Sequence, residues 1–404
     1  MKKHIMTGGV CAPKGFMASG VAADINCRGN DKKDLALIFS EVPAVAAAVF
    51  TTNRVKAAPI TLTQSHLQEG LTQAVIINAR NANSCTGEQG ERDALAMAHL
   101  TADALHIAAN RVAVASTGLI GVPLPMNRLE RGIPLAKEAL SVEGGHLAAQ
   151  AIMTTDTYPK EIAIQIELGG GTVTIGGMAK GSGMVNPNMA TVLGFITTDA
   201  KISLEALQVA LKRANEKSFN MITVDGDTST NDMILIMANG LSNTQEIQLD
   251  TPLFDEFLLA LEHVLIHLAK EVARDGEGAT KLLEVRIEGA ACVSHARKAA
   301  QAVCNSLLVK TALFGRDANW GRILCALGYS GAEFDPQKVD LYLGDLVVMK
   351  RGTPLQFDEE AALLVLSEHE VVIVANLQNG EACATGWGCD LSYDYVRING
   401  AYRT

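Results

Sequence analysis

Short apolar runs rich in Val, Ile and Ala, bounded by Gly, Pro, Asn or Asp, recur along the 404-residue chain and alternate with longer stretches of helical periodicity. Leu35–Ser40 and Val45–Thr52 read as neighbouring strands joined at Pro43. Ala74–Asn78, Arg111–Ser116, Glu161–Leu168, Thr172–Met178, the run that follows Thr191, Met233–Ala238, Leu283–Ile287, Val339–Leu343 and Val371–Ala375 read as further strands. Gly169, Gly170 and Gly171 predict a hairpin turn, because no helix opening on Lys-Ser/Thr follows as it would in a phosphate loop. Helices are expected from about Pro59 and over Glu91–Ala108, Asn127–Leu140, Gly145–Met153, Leu204–Lys217, Pro252–Arg274 and Val293–Leu308. This alternation predicts an α/β protein whose layered sheets are covered by helices.

One stretch fits neither periodicity: Gly176-Gly-Met-Ala-Lys180-Gly-Ser-Gly-Met-Val-Asn186-Pro-Asn-Met-Ala190-Thr191. Its glycines permit tight backbone approaches, and Pro187 fixes its own φ and extends Asn186, so it is a shaped loop. A Thr at the head of a core strand is placed where its hydroxyl could attack the carbonyl of Ala190. Cleavage there would free the α-amine of Thr191, which could activate its own hydroxyl. Such an amine titrates near pH 7.7–8.0, roughly where a general base is useful. Composition alone favours the plainer reading, a glycine-rich turn before a buried strand.

Other polar stretches carry weaker signals. Thr117-Gly118 ends a strand, and can serve as a plain turn or present a hydroxyl beside an unobstructed N–H. Thr154-Thr-Asp-Thr157 suits hydrogen bonding to a small ligand or capping of a turn. Asp225, Asp227 and Asp232 fall in one loop, but Gly226 is misplaced and no distal Glu closes a calcium template, so a hydrogen-bonded loop near the active site is expected. His263 and His267 are a helical turn apart without the Glu of a zinc motif. Cys85, in a polar loop after a strand, lacks a His partner pattern and reads as a buried structural thiol. Arg54 and Lys56 read as a solvated strand end. Glu277, between Gly276 and Gly278, has little cover from its neighbours and can project into a pocket.

Composition narrows the classes further. The net charge is −10 and no basic run opposes it, which argues against nucleic acid or an anionic membrane as partner. The eight cysteines show no C-x-x-C pair or zinc spacing, and no long apolar segment stands at the start of the chain or elsewhere. Reduced thiols, a cytoplasmic location, no metal, no bound cofactor and a small-molecule substrate are the expectations.

Lys180-Gly-Ser-Gly-Met184 followed by Asn186-Pro-Asn-Met-Ala-Thr191 closely resembles the self-cleavage motif of the glutamate N-acetyltransferase / ornithine acetyltransferase family of arginine biosynthesis. The likeness extends from Gly9-Val-Cys-Ala-Pro-Lys-Gly-Phe16 to Asn399-Gly-Ala-Tyr-Arg-Thr404, departing at Asn186, a position that varies in the motif. The resemblance implies an α/β/β/α sandwich like that of N-terminal nucleophile enzymes, cut between Ala190 and Thr191 into an α chain (1–190) and a β chain (191–404). Family members pair these as α2β2. It further implies Thr191 as nucleophile with its α-amine as base, Thr117 and Gly118 as oxyanion hole, and Thr154, Lys180, Glu277, Asn399 and Thr404 as substrate contacts, with Glu277 meeting the ornithine amine and Thr155–Thr157 as supports. Lys180 would bind a substrate carboxylate. The implied reaction moves acetyl from N2-acetyl-ornithine to glutamate through an acyl-threonine, with acetyl-CoA as a further acetyl donor. A recycling-only acetyltransferase, an amidase or aminopeptidase of similar architecture, and a non-catalytic binding protein are the alternatives. The role of the Arg316-Asp317-Asn319-Trp320 patch, subunit contact or second wall of the site, stays open.

Overall fold

The computed structural model describes residues 3–26, 29, 31–186 and 192–401. The main sheet contains β1 (Lys3–Met6), β2 (Phe16–Val21), β3 (Leu35–Phe50), β4 (Leu71–Asn78), β5 (Val112–Ser116), β6 (Lys160–Leu168), β7 (Gly171–Lys180), β8 (Leu193–Thr198) and β9 (Met233–Ala238), in the order β1-β6-β7-β8-β9-β3-β4-β5 with β2 also on β3. The two strands expected around Pro43 are one. β3 runs through Pro43 for 16 residues, and the ladder to β4 shifts register between Phe39 and Ala44. Proline has no N–H for a ladder, and an irregular stretch of this kind is where a sheet tolerates it.

That long strand joins two β layers. Its first part pairs with β2 and its second part with β9 along the same edge, so the sheet doubles over. Ala36 and Ile38, Val75 and Ile77, and Ala113 and Ala115 pack with Met178, Leu193, Phe195, Met233, Leu235 and Met237 in one apolar layer. The alternate residues Leu35, Leu37, Ala74, Ile76, Val112 and Val114 point the other way, onto the helices α2 and α3. Here α1 is Ala58–His66, α2 Gly87–Leu105, α3 Met126–Glu138, α4 Gly145–Ala151, α5 Leu204–Glu216 and α6 Pro252–Arg274. The outer face of β6–β9, through Ile164, Ile175, Ile196, Ile234 and Ile236, meets α5 and α6. The period-2 alternation of the strands thus yields the α/β/β/α sandwich.

Helix α6 forms because Phe254, Phe257, Leu261, Val264, Leu265, Leu268 and Val272 repeat at helical spacing and all are buried. Pro252 opens its first turn and the Thr251 side chain caps the Phe254 amide at 3.3 Å. Removing one of its aromatic rings, as in Phe257→Ala, costs about 3–5 kcal/mol.

A second, six-stranded sheet follows, with β10 (Leu282–Ala290), β11 (Asp340–Leu343), β12 (Leu346–Lys350), β13 (Thr353–Pro354), β14 (Glu370–Asn376) and β15 (Ala382–Cys389) in the order β13-β12-β11-β14-β10-β15. The remaining helices are α7 (Val293–Asn305), α8 (Leu307–Gly315), α9 (Trp320–Gly328), α10 (Glu359–Ser367) and α11 (Tyr393–Ala401). The single helix expected over Val293–Leu308 ends at Asn305. Ser306 is extended (φ −66°, ψ 112°) and its side chain caps α8 instead, accepting from the Val309 amide. Arg316 ends α8 in a left-handed turn and Asn319 caps α9. The Arg316–Trp320 patch is therefore an interhelix turn and contributes nothing to the cleft described below. The hairpin at Gly169-Gly170 is as expected, with both residues at positive φ. Among the described residues no helix is long and apolar enough to cross a membrane.

Candidate active site

Thr117, Gly118, Thr154, Lys180, Glu277 and Asn399 meet in one cleft of about 190 Å3. Five separate parts of the chain deliver them. Ala190, Thr191 and Thr404 lie outside the described residues.

One wall starts where β5 ends. The Thr117 amide donates to Asn78 O at 3.0 Å, continuing the ladder by one bond. Gly118 then turns at φ +133°, and a Cβ there would stand 2.2 Å from the Arg80 carbonyl carbon, so only glycine is accommodated. Among the described residues no hydrogen bond engages the Thr117 hydroxyl or the Gly118 amide. Asn231 braces this wall by donating to Ala82 O (2.6 Å) and Ser116 O (2.9 Å).

A second wall presents the ammonium of Lys180. Lys180, the last residue of β7, reaches Thr154 Oγ1 at 2.8 Å and Asp156 Oδ2 at 3.6 Å. Asp156 also accepts from Lys160 Nζ (2.8 Å) and the amides of Thr154 and Gly181 (3.0 and 2.8 Å). Lys160 in turn reaches Asp275 Oδ2 at 2.6 Å, and the Thr157 amide and hydroxyl donate to the same carboxylate. Burial raises the Asp156 pKa, but Lys180, Lys160 and its hydrogen bonds outweigh that and hold the carboxyl well below the usual range. Two lysines and two aspartates thus form a buried, charge-balanced group that fixes the Lys180 side chain. The Thr154–Thr157 segment does two jobs: Thr154 and Thr155 line the cleft, while Asp156 and Thr157 tie it to Asp275.

The opposite side is acidic. Glu277 is buried, its amide donating to Ser182 O (2.8 Å) and its Oε2 accepting from Asn399 Nδ2 (2.7 Å). The flanking glycines serve close packing as well as exposure. A Cβ at Gly276 would lie 2.7 Å from Cys389 Sγ, and one at Gly278 (φ +70°) 2.6 Å from the Tyr395 amide nitrogen. Asp390 Oδ1, just past β15, accepts from the Thr280 and Lys281 amides (2.7 and 3.0 Å), binding this turn to the segment that leads into α11. Asp225 adds a second carboxylate, accepting from the Met184 and Val185 amides (2.6 and 2.9 Å) and from the Tyr395 hydroxyl at 3.3 Å. Burial raises the Asp225 pKa against those amides, and burial with Asp225 and Glu277 pushes the Tyr395 phenol up, keeping it a donor at neutral pH.

Asp225 and Tyr395 were not singled out as individual ligands. The acidic loop hinted at the first. Helical spacing could have found the second, since Tyr395 and Asn399 are four apart on one helix face. Asn186, where the motif departs, accepts from Asn305 Nδ2 at 3.3 Å. Cys85 is not the buried thiol expected: its loop turns at positive φ and leaves it exposed, lining a different depression beside Arg54 and Lys56. His263 and His267 are partly buried helix residues whose pKa values burial lowers. Among the described residues no group of three or more His, Cys, Asp or Glu is arranged to hold a metal.

The sequence matches the model of the ArgJ family over residues 17–404. The chain belongs to the ArgJ family. It is 62% identical over 399 residues to the arginine biosynthesis bifunctional protein ArgJ of Symbiobacterium thermophilum, covering 99% of each chain. The ArgJ protein of Caldanaerobacter subterraneus subsp. tengcongensis is 53% identical over 405 residues, 99% of this chain and 100% of that one. The crystal structure of the Bacillus halodurans ArgJ protein superposes with a TM-score of 0.50 at 48% identity, over 51% of this chain and 97% of the solved one. As an ArgJ-family member, the chain is a bifunctional acyltransferase of arginine biosynthesis with the mixed α/β fold of that family.

Proposed function

We propose that the chain cleaves itself between Ala190 and Thr191 and then transfers acetyl from N2-acetyl-L-ornithine to L-glutamate through an acyl-threonine. The observation that carries this reading is a cleft with an unengaged hydroxyl–amide pair, Thr117 and Gly118, set between the Lys180 ammonium and an acidic wall at Glu277 and Asp225. A basic amino acid acylated on its α-nitrogen has matching parts: a carbonyl to polarise, a carboxylate and a distal cation.

In the mechanism, Thr191 Oγ attacks the acetyl carbonyl while its α-amine takes the hydroxyl proton. The oxyanion forms against Thr117 and Gly118, and collapse returns the proton to ornithine, which leaves. Glutamate then attacks the acyl-threonine by the reverse route, giving N-acetylglutamate and free Thr191. Lys180 binds a substrate carboxylate, and its positive charge favours the neutral form of the Thr191 amine. Thr154, Asn399 and Thr404 orient the amino-acid end, and acetyl-CoA serves as a second acetyl donor.

Two features support cleavage into chains that stay together. β8, immediately after Thr191, pairs with β7 on one side and β9 on the other, and β9 pairs with β3, so residues 1–190 and 191–404 would share one sheet. The Bacillus halodurans chain, at about half this length, matches the size such a cut produces. Assembly as α2β2 in the cytoplasm completes the proposal. The test is intact mass under denaturing conditions before and after N2-acetyl-ornithine. Two chains, the second gaining one acetyl, are expected, whereas an uncut chain that still transfers acetyl would overturn the free-amine mechanism.

A further inference from the structure

The segment that follows β3 carries two cations the acyl transfer does not use, and it is tied to the chain that lines the cleft. The Thr51 hydroxyl donates to Ser229 O at 2.7 Å, Asn53 Nδ2 to Thr228 O at 3.0 Å and the Ala57 amide to Thr230 O at 3.0 Å. Ser229 and Ala82 line the cleft. One residue past Ala82 the surroundings change: Asn83 and Cys85 line a separate depression of about 280 Å3, together with Arg54, Lys56 and Glu91. The cleft and the depression therefore border the same two pieces of chain.

The charge in the depression is positive. Arg54 and Lys56 are exposed, and among the described residues neither side chain makes an ion pair or hydrogen bond. One unpaired carboxylate, Glu91, stands against the two of them, in a chain whose net charge is −10. Lys56 also borders a wider hollow where Lys212 adds a third unpaired cation, while the acid there, Glu216, is held by Arg297 at 3.4 Å. Gly87, the first residue of α2, lines the depression as well. Thr86 leaves that end of the helix uncapped, its hydroxyl donating instead to Asn83 Oδ1 at 2.8 Å, so the positive end of α2 adds to the field of the two side chains.

The catalytic cleft has the opposite character. At about 190 Å3 it is smaller than the roughly 300–1,000 Å3 of sites for drug-sized ligands. The carboxylates of Asp225, Asp227 and Glu277 line it with a single lysine, Lys180. It has room for an acylated amino acid, and its carboxylates repel a phosphorylated nucleotide. A thioester donor of the acetyl-CoA type must then keep its phosphates outside the cleft while its acetyl carbon enters. We propose that the Arg54–Lys56 depression binds the phosphates of a nucleotide-bearing acyl thioester, whose pantetheine arm crosses the shared segments into the cleft. Arg54 offers a planar fork to the diphosphate and Lys56 a mobile point charge. The inference rests on the reading that acetyl-CoA donates acetyl. N2-acetyl-ornithine has no phosphate and makes no use of this depression.

The test compares wild type with the Arg54→Ala/Lys56→Ala double variant, using acetyl-CoA, acetyl-pantetheine, which is the thioester without phosphates, and N2-acetyl-ornithine as donors to glutamate. The variant's KM for acetyl-CoA is expected to rise about tenfold or more, and its KM for the other two donors to change less than about twofold. Added salt should raise the wild-type KM for acetyl-CoA by screening exposed charges, and the variant's much less. An unchanged KM for acetyl-CoA, or an equal rise for acetyl-CoA and acetyl-pantetheine, would overturn the inference and leave the donor reading intact. A wild type that uses N2-acetyl-ornithine but neither thioester would remove the donor reading, and the inference with it. Cys85 supplies a readout without turnover: ADP should slow its alkylation by iodoacetamide relative to the exposed Cys292, Cys325 and Cys383, and no such protection would refute phosphate binding in the depression.

Discussion

Glu277→Gln keeps the side chain's volume and removes one charge from the acidic wall. In the native cleft Oε2 is occupied by the Asn399 amide at 2.7 Å, leaving the rest of the carboxylate to a substrate cation. A cation about 4 Å away at an effective dielectric near 20 is attracted by ~4 kcal/mol. Its lost hydration and the remaining Asp225 charge reduce the net effect to about 2–3 kcal/mol, within the range for truncating one partner of a bonded charge pair. That corresponds to a fall of roughly 30- to 150-fold in kcat/KM for N2-acetyl-ornithine. Glutamate carries no side-chain cation, so its kcat/KM in the second half-reaction should change less than about threefold. Initial rates with both substrates varied separate the two half-reactions. An equal loss for both substrates, or no loss for acetyl-ornithine, would refute cation recognition by Glu277.

Four further outcomes are expected. Gly118→Ala places a Cβ 2.2 Å from the Arg80 carbonyl carbon and should lower kcat by about 10²–10³, with the far-ultraviolet circular dichroism unchanged. Lys160→Met leaves Asp156 and Asp275 buried without their shared cation and should destabilise by about 3–5 kcal/mol, read as a lower urea midpoint at constant slope. Because the folded Asp156 pKa is depressed, its contribution is fully present above the unfolded value near 3.9 and is lost as pH falls through the folded one. Wild type should therefore lose urea resistance on acidification below about pH 4 more steeply than Asp156→Asn, whose stability at pH 7 is already reduced. Ser306→Ala removes the α8 cap and should cost about 1 kcal/mol without altering KM.

Sequence by itself determined the element types, because local periodicity decides which face of each segment is apolar. β9 and α6 fall on the expected residues, and the Gly169-Gly170 turn follows from glycine's access to positive φ. Motif likeness also determined the family, and with it which residues to look for. Other features depended on partners distant in the chain. Pro43 reads locally as a strand break, yet β3 passes through it because pairing on both sides outweighs one irregular stretch. The Ala382–Cys389 strand, rich in glycine and alanine, is weak in propensity and exists because β10 and α7 cover it. Thr117, Lys180, Glu277 and Asn399 are far apart in sequence, and only the doubling of the main sheet and the return of α11 bring them to one cleft. Asp232 is the clearest case: its identity is plain in the sequence, but its burial, and the upward pKa shift that burial causes, are set by everything packed around it.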